Sequence, residues 1–394
     1  MEKILIISNY YPPEKGAAAN RIEQLALQLL ANNYSVSVVC PLGNYPKGEL
    51  FNEYKGKFSI TENLKNILVK RLWIYPSVSK NIFVRLFSVL SFSTSLFFYL
   101  LFKKIPNKVV VQSPPLLLSF IAVFVLLVKR KKIILNVSDL WPLAAIELNA
   151  LKKDSFSHKI SLFMERFIYK KATLILGQSN EIISHIKEIY PEKKCFLYQN
   201  FPKHNADTFD LEKVENQPIK IFYAGLLGVA QGVLMLCENI ELKDLNVELH
   251  IFGDGAEKKQ IVDLIQKSNN SQIYFHGMLD RNELHQKLKT MDVGIVPLKT
   301  RIYGSVPSKI FEYTALGFPI LYCGGGEGAD IVYENNLGWI ADVGDFKALQ
   351  NHINQIAILT KVELFEQKQM IFDKSESIFN LDFQMQGLLK NKIF

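Results

Sequence analysis

Residues 3–40 read KILIISNYYPPEKGAAANRIEQLALQLLANNYSVSVVC, and their order decides the fold. Ile4–Ser8 is a short, continuously apolar run. Asn20–Asn32 carries apolar residues at helical spacing (Ile22, Leu25, Ala26, Leu29, Leu30), and Val36–Cys40 is a second β-rich run. Strand, helix and strand in succession make a βαβ unit. Strands that are apolar throughout belong to a parallel sheet covered on both faces.

Working outward, the same grammar predicts strands at Lys108–Gln112, Lys132–Val137 and Thr173–Gly177, so that a first doubly wound domain ends near residue 200. Pro202–Pro218 is polar and lacks apolar periodicity, which reads as a linker. Strands then recur at Ile219–Ala224, Val247–Phe252, Ile273–Phe275, Val293–Val296 and Ile320–Cys323, with helices between. The expected organisation is α/β throughout. A Rossmann-like domain over 1–200 and a second over 201–375 face a central cleft, and a C-terminal helix over 376–394 packs back on the first domain.

A chain of 394 residues is long enough for two such cores, and 48% hydrophobic with 21% charged residues is a packed globular composition. The four cysteines, Cys40, Cys195, Cys237 and Cys323, are far apart and form neither a disulfide framework nor a zinc spacing. The apolar run at the N-terminus is too short for a signal-peptide core, which predicts a cytoplasmic protein. A net charge of +8 fits nucleic acid, an anionic membrane or anionic substrates equally. Ile82–Phe102 and Leu116–Val128 are strongly apolar, and the second runs into Lys129-Arg130-Lys131-Lys132. They read as buried helices, as a face dipping into a membrane interface, or as a membrane passage. Without interleaved aromatic and basic residues, nucleic-acid binding has only the net charge behind it. The turn after the first strand lacks the GxGxxG of a dinucleotide-binding dehydrogenase.

Several predicted strands of the second half end in glycines: Gly225-Leu226-Leu227-Gly228 and Gly253-Asp254-Gly255. Glycine lets a backbone approach a phosphate, although each pair also fits a plain β-to-α turn. The richer constellation is Ser305-Val306-Pro307-Ser308-Lys309-Ile310-Phe311-Glu312. Ser308 is expected to cap a helix whose first N–H groups hold a diphosphate, Lys309 adds a point charge, and Glu312 can accept hydrogen bonds from a ribose diol. Asp139, in Ser138-Asp139-Leu140-Trp141-Pro142, ends an apolar strand, where a carboxylate is costly unless hydrated or paired, so an active-site role is expected. Trp141 reads equally as packing. Glu327, in a glycine turn, faces a ligand or caps the following helix.

Three segments, GSVPSKIFEYTALGFPILYCGGGEGADIV, YAGLLGVAQGV and HIFGDGAEKKQI, resemble the donor-binding domain of retaining GT-B glycosyltransferases of family GT4. ISNYYPPEKGAAANR and LNVSDLWPLAA in the first domain are similar to the branch of bacterial fucosamine and N-acetyl amino sugar transferases of O-antigen and capsule assembly. The resemblance implies that Glu312 is the second glutamate of a paired motif and binds the donor ribose, while Gly304 stands where the first glutamate is expected. The family's basic residues in the loop 225–232 are also missing, so Arg301 or Lys309 would supply the charge for the diphosphate. Gly16 would approach the donor from the first domain, Met278 with Gly277 would meet the nucleobase, and Asp139 stands where many relatives have a cleft histidine.

The resemblance further implies a nucleotide-diphosphate sugar as donor, UDP-linked, with front-face departure of the diphosphate and no cofactor or metal. The apolar, basic first domain adds a polyprenyl-diphosphate-linked saccharide acceptor presented at the inner face of the cytoplasmic membrane. A non-catalytic GT-B partner of another transferase and a nucleotide-sugar epimerase are the competing readings.

Overall fold

The computed structural model describes residues 1–45, 47–79, 81–202, 217–267 and 271–394. The chain divides into two compact units, one of Met1–Asn200 with Ile302–Ser305 and Asp382–Phe394, the other of Phe201–Arg301 with Val306–Leu381. Most of the linker expected at 202–218 lies outside the described residues.

In chain order the first unit contains β1 (Lys3–Ile7), α1 (Ala17–Ala31), β2 (Ser35–Pro41), β3 (Ser59–Leu64), β4 (Ile67–Leu72), α2 (Ile82–Phe102), β5 (Lys108–Ser113), α3 (Leu116–Val128), β6 (Lys132–Val137), α4 (Leu143–Glu147), α5 (Phe156–Lys171), β7 (Leu174–Gly177), α6 (Asn180–Ile189) and β8 (Cys195–Leu197). Its sheet runs β3-β4-β2-β1-β5-β6-β7-β8. All neighbours are parallel except β3 and β4. That hairpin was not expected from the sequence: it turns on Lys65 and Asn66, both with positive φ (52° and 65°), as a two-residue hairpin turn requires. β1, β5 and β6 are buried at every residue after their first lysine, which is why they read as apolar runs.

The second unit contains β9 (Ile219–Leu226), α7 (Val233–Asn239), β10 (Val247–Asp254), α8 (Lys258–Lys267), β11 (Ile273–Gly277), α9 (Arg281–Leu288), β12 (Val293–Pro297), α10 (Ser308–Thr314), β13 (Ile320–Cys323), α11 (Glu327–Glu334), β14 (Gly338–Ala341), α12 (Phe346–Ala357) and α13 (Lys361–Ile378). Its sheet is parallel throughout, in the order β11-β10-β9-β12-β13-β14. Capping boxes start α9 (Asp280 with Glu283) and α13 (Thr360 with Glu363). The last helix, α14 (Leu381–Lys390), belongs to the first unit from Asp382 on, where Gln384 exchanges hydrogen bonds with the backbone of Gln199.

Each sheet has one strand where the winding reverses. β1 lies between β2 and β5, and β9 between β10 and β12. In open α/β sheets, ligands bind outside the carboxyl ends of strands at such points. The loops that follow β1 and β9 therefore mark the two places where chemistry is sought.

Candidate functional site

In the second unit the loop after β9 is built around glycines and tyrosines. An added Cβ at Gly225 would overlap the Lys309 ammonium group. Lys309 Nζ lies 5.4 Å from the Tyr223 ring centroid and 6.0 Å from that of Tyr313, within cation–π range. The loop 225–232 has no basic side chain of its own, and α10 brings one to it.

The helix α10 begins at Ser308, with Pro307 in the cap position and no side-chain cap. Ser308 is thus not the cap expected from the sequence. Proline fixes an extended-to-helical entry at its own position, which frees the Ser308 hydroxyl to donate to Glu312 Oε1 at 2.8 Å, one turn along. That bond orients the carboxylate and leaves its second oxygen able to accept from a diol. Three buried tyrosines hold the surrounding loops. The Tyr223 hydroxyl donates to the Leu226 carbonyl, Tyr313 Oη accepts from the Ala224 N–H and donates to the Ala224 carbonyl, and Tyr322 Oη reaches the Gly325 carbonyl. Burial, then the Glu312 charge, raises the Tyr223 phenol above its ordinary range, so it stays a donor.

The remaining candidates of this unit fall into distinct places. A Cβ at Gly253 would overlap the Gly225 carbonyl oxygen, and one at Gly228 would lie 2.6 Å from Gln231 Oε1. Close strand approach accounts for Gly253 without a ligand. Arg301 lies along the glycine turn after β13, where its guanidinium would overlap a Cβ added at Gly326. Glu327 is buried as the first residue of α11, and Gly326 takes the cap position without a side-chain cap. Met278, after β11, is 59% exposed and offers an open apolar surface beside Gly277. Lys309, Ser308, Glu312 and Gly225 are therefore drawn together around the end of β9. Arg301 and Glu327 mark the turn after β13, and Met278 the edge strand.

In the first unit a polar chain runs across the carboxyl ends of β5 and β6. Arg21, 2% exposed on α1, donates through Nη2 to Asn136 Oδ1 at 2.7 Å and through Nη1 to Asn200 Oδ1 at 2.6 Å. Its guanidinium lies 4.4 Å over the Tyr198 ring. Asn136 in turn donates to Gln112 Oε1 at 2.6 Å, and Gln112 donates to the Ser138 hydroxyl at 2.8 Å. Burial lowers Arg21 to about 10, which leaves it charged at neutral pH. Asp139 follows this chain. Its carboxyl is pushed up to about 6 by burial, against the lowering effects of Arg21 and a hydrogen bond with Ser305. Trp141 packs against the apolar core of the unit.

The loop carrying Gly16 is held by Glu14. Its buried carboxylate accepts N–H bonds from Asn44 at 2.9 Å, Tyr45 at 3.0 Å and Tyr11 at 3.3 Å. Burial raises its pKa, and those three bonds work against the rise. Gly16 occupies the N-cap position of α1 with φ 144°. The segment 302–305 is pinned to this unit: the Tyr303 N–H donates to Glu147 at 3.0 Å, and the Gly304 N–H donates to Glu181 at 2.6 Å. The Gly304 carbonyl accepts from Ser179 at 2.7 Å. With φ 84° and Ile182 2.9 Å from any Cβ, position 304 has no room for a glutamate.

Arg21, Asn136, Gln112 and the three tyrosines went unread in the sequence. The available signal was a single amide inside an otherwise apolar strand, VVVQS and KIILNV. Among the described residues no three His, Cys, Asp or Glu side chains group to hold a metal ion.

Comparison with known proteins bears on both units. Residues 204–365 match the family described as glycosyl transferases group 1. No curated protein matches the chain by sequence. Among solved structures it is similar to a sucrose-phosphate synthase from Thermosynechococcus elongatus (14% identity, TM-score 0.74, covering 100% of this chain and 99% of that one). It is also similar to the E. coli trehalose-6-phosphate protein bound with UDP-2-fluoro glucose (12% identity, TM-score 0.71, covering 99% and 98%). A third is WaaG, a glycosyltransferase involved in lipopolysaccharide biosynthesis (12% identity, TM-score 0.67, covering 98% and 99%). The fold of the chain is the GT-B fold of these structures, with two α/β units, one on a largely parallel and one on a wholly parallel sheet.

Proposed function

We propose that the chain is a retaining, metal-independent glycosyltransferase. It moves an N-acetyl or deoxy amino sugar from a UDP-linked donor to a polyprenyl-diphosphate-linked saccharide during O-antigen or capsule assembly, at the inner face of the cytoplasmic membrane. The observation that carries this reading is the Lys309 ammonium brought against Gly225 at the switch point of the second sheet, on the helical turn that the Ser308–Glu312 pair spans. A diphosphate and a ribose lie a few ångströms apart in a nucleotide, and a cation beside a hydrogen-bonded carboxylate suits that pairing. The match of residues 204–365 and the UDP-sugar bound to a protein of the same fold support it.

In this reading Lys309, with Arg301, stabilises charge that builds on the departing diphosphate. Glu312, aligned by Ser308, takes the ribose diol, and Met278 meets the base. Asp139 sits beside a charged arginine and keeps a carboxyl that changes state near neutral pH, which suits proton handling at an acceptor hydroxyl. The test is sugar transfer by the purified chain from UDP-N-acetylhexosamines to a polyprenyl-diphosphate-linked saccharide. Nuclear magnetic resonance reads the anomeric configuration of the product, and a chelator is present in one arm. Transfer with retention, unaffected by chelation, is the expected result.

A second reading, a non-catalytic partner of another transferase, draws on Gly304 and on the uncharged loop 225–232. Donor turnover by the isolated chain removes it.

A further inference from the structure

Three helices of the first unit, α2, α3 and α5, pack side by side, α2 on α3 and α3 on α5. Each buries one face; on α2 this is Phe92, Leu96 and Leu100. The opposite face of α2 is also apolar. Phe83, Leu86, Phe87 and Leu90 are exposed at helical spacing, and Phe98 stacks on Phe102 further along. Phe83 is 77% exposed and Phe102 75%. Phe124 of α3 and Phe156 and Phe163 of α5 extend the same kind of surface. Exposed apolar residues this dense and this aromatic mark an interaction face.

Along α2, α3 and the segments that join them to β6 the formal charge has one sign. Residues 82–132 contain eight lysines and arginines and no aspartate or glutamate. Beyond the carboxyl ends of α2 and α3 opens a recess of about 560 Å³ lined by Lys3, Lys103, Lys104, Lys129 and Lys131. Lys129 Nζ donates to the Lys103 carbonyl at 2.9 Å, and Glu2 in the same recess pairs with Lys108 at 2.9 Å. The side chains of Lys3, Lys103 and Lys104 have no partner among the described residues. A second copy seated on this face would set cation against cation. A membrane leaflet carrying anionic phosphates supplies the opposite charge, and its acyl region takes the aromatic stripe. α2 is long and apolar enough to cross a bilayer, but Phe92, Leu96 and Leu100 tie one side of it into the core.

We propose that α2, α3 and α5 form a monotopic docking face for an anionic leaflet, with the lysine recess holding a lipid phosphate headgroup. The proposal rests on the membrane placement proposed above but not on the transfer chemistry, because its test reads partitioning alone. The full chain is sedimented with vesicles of phosphatidylcholine, with and without phosphatidylglycerol, at low and high salt. Binding should require phosphatidylglycerol and weaken with salt. Lys103→Gln with Lys104→Gln should lower it about 25-fold, about fivefold per charge, and Phe98→Ser with Phe102→Ser should abolish it. Both pairs change exposed side chains, so thermal unfolding is expected to match the wild type. Equal partitioning onto neutral and acidic vesicles, or none onto either, would overturn the proposal. So would a vesicle-free dimer that the Phe98/Phe102 pair dissolves, which assigns the face to a second copy, or resistance to carbonate extraction, which makes α2 a spanning helix.

Discussion

The Lys309 ammonium occupies the space that any side chain at Gly225 would need. Two residues 84 positions apart, one ending β9 and one starting α10, are thereby matched: the glycine is small so that the lysine can stand beside the strand end. The loop that lacks a cation of its own is supplied with one from α10, and the chemistry proposed for the second unit begins there.

Gly225→Ala should displace the far end of a flexible lysine side chain and also strain a backbone held at φ 158°. About tenfold weaker UDP binding by calorimetry is expected, with a loss of about 1 kcal/mol in thermal unfolding. Gly253→Ala is the contrast. Its Cβ meets the Gly225 carbonyl, a backbone group that cannot swing away, and a loss of about 1–3 kcal/mol in stability is expected.

Asp139 gives a pH prediction of definite sign. Its folded pKa of about 6 lies above the ordinary carboxyl value of about 4. The folded state holds the proton more tightly, so the stability tied to this group is complete below about pH 4 and is lost as pH rises through about 6. Asp139→Asn removes that dependence. In thermal unfolding the variant should gain on the wild type between those two values and keep a constant lead above them. Arg21→Met should move the Asp139 titration upward, since Arg21 opposes the rise. It should also destabilise the chain by about 3 kcal/mol by leaving Asn136 and Asn200 without their donor.

Placing at position 304 the glutamate that the resemblance leads one to expect should not improve donor binding. Gly304→Glu forces a side chain onto a backbone at φ 84° with Ile182 and Leu140 already in contact range. A drop of about 2 kcal/mol in stability is expected, and donor affinity should fall or stay level. A rise in affinity would show that the segment 302–305 leaves its place on the first unit when donor binds.

Much of this could be read in advance, and the residues show why some could not. β1, β5 and β6 are buried after their first residue and β9 through its middle, so their side chains spell out strands. β3 reads SITENL with no fully buried residue, and its turn at Lys65–Asn66 carries no glycine, so the hairpin left no mark in the pattern. β8 and β14 are short and mostly half-exposed. Glu312 and Lys309 stood out because they share one helix with Ser308. Arg21 did not, because its partners Asn136 and Asn200 are more than a hundred positions away. Proline-serine before an apolar helical run spells a serine cap. Only the structure assigns that place to Pro307 and turns the serine towards Glu312.

The most direct test is thermal unfolding with UDP, GDP and TDP, for the wild type and for Glu312→Ala. A ligand held at a hundred times its dissociation constant stabilises by about 2.7 kcal/mol. Stabilisation by UDP above the other two, absent in Glu312→Ala, is the predicted result. No shift of the wild type with any of the three would contradict a donor site built on Lys309, Ser308 and Glu312.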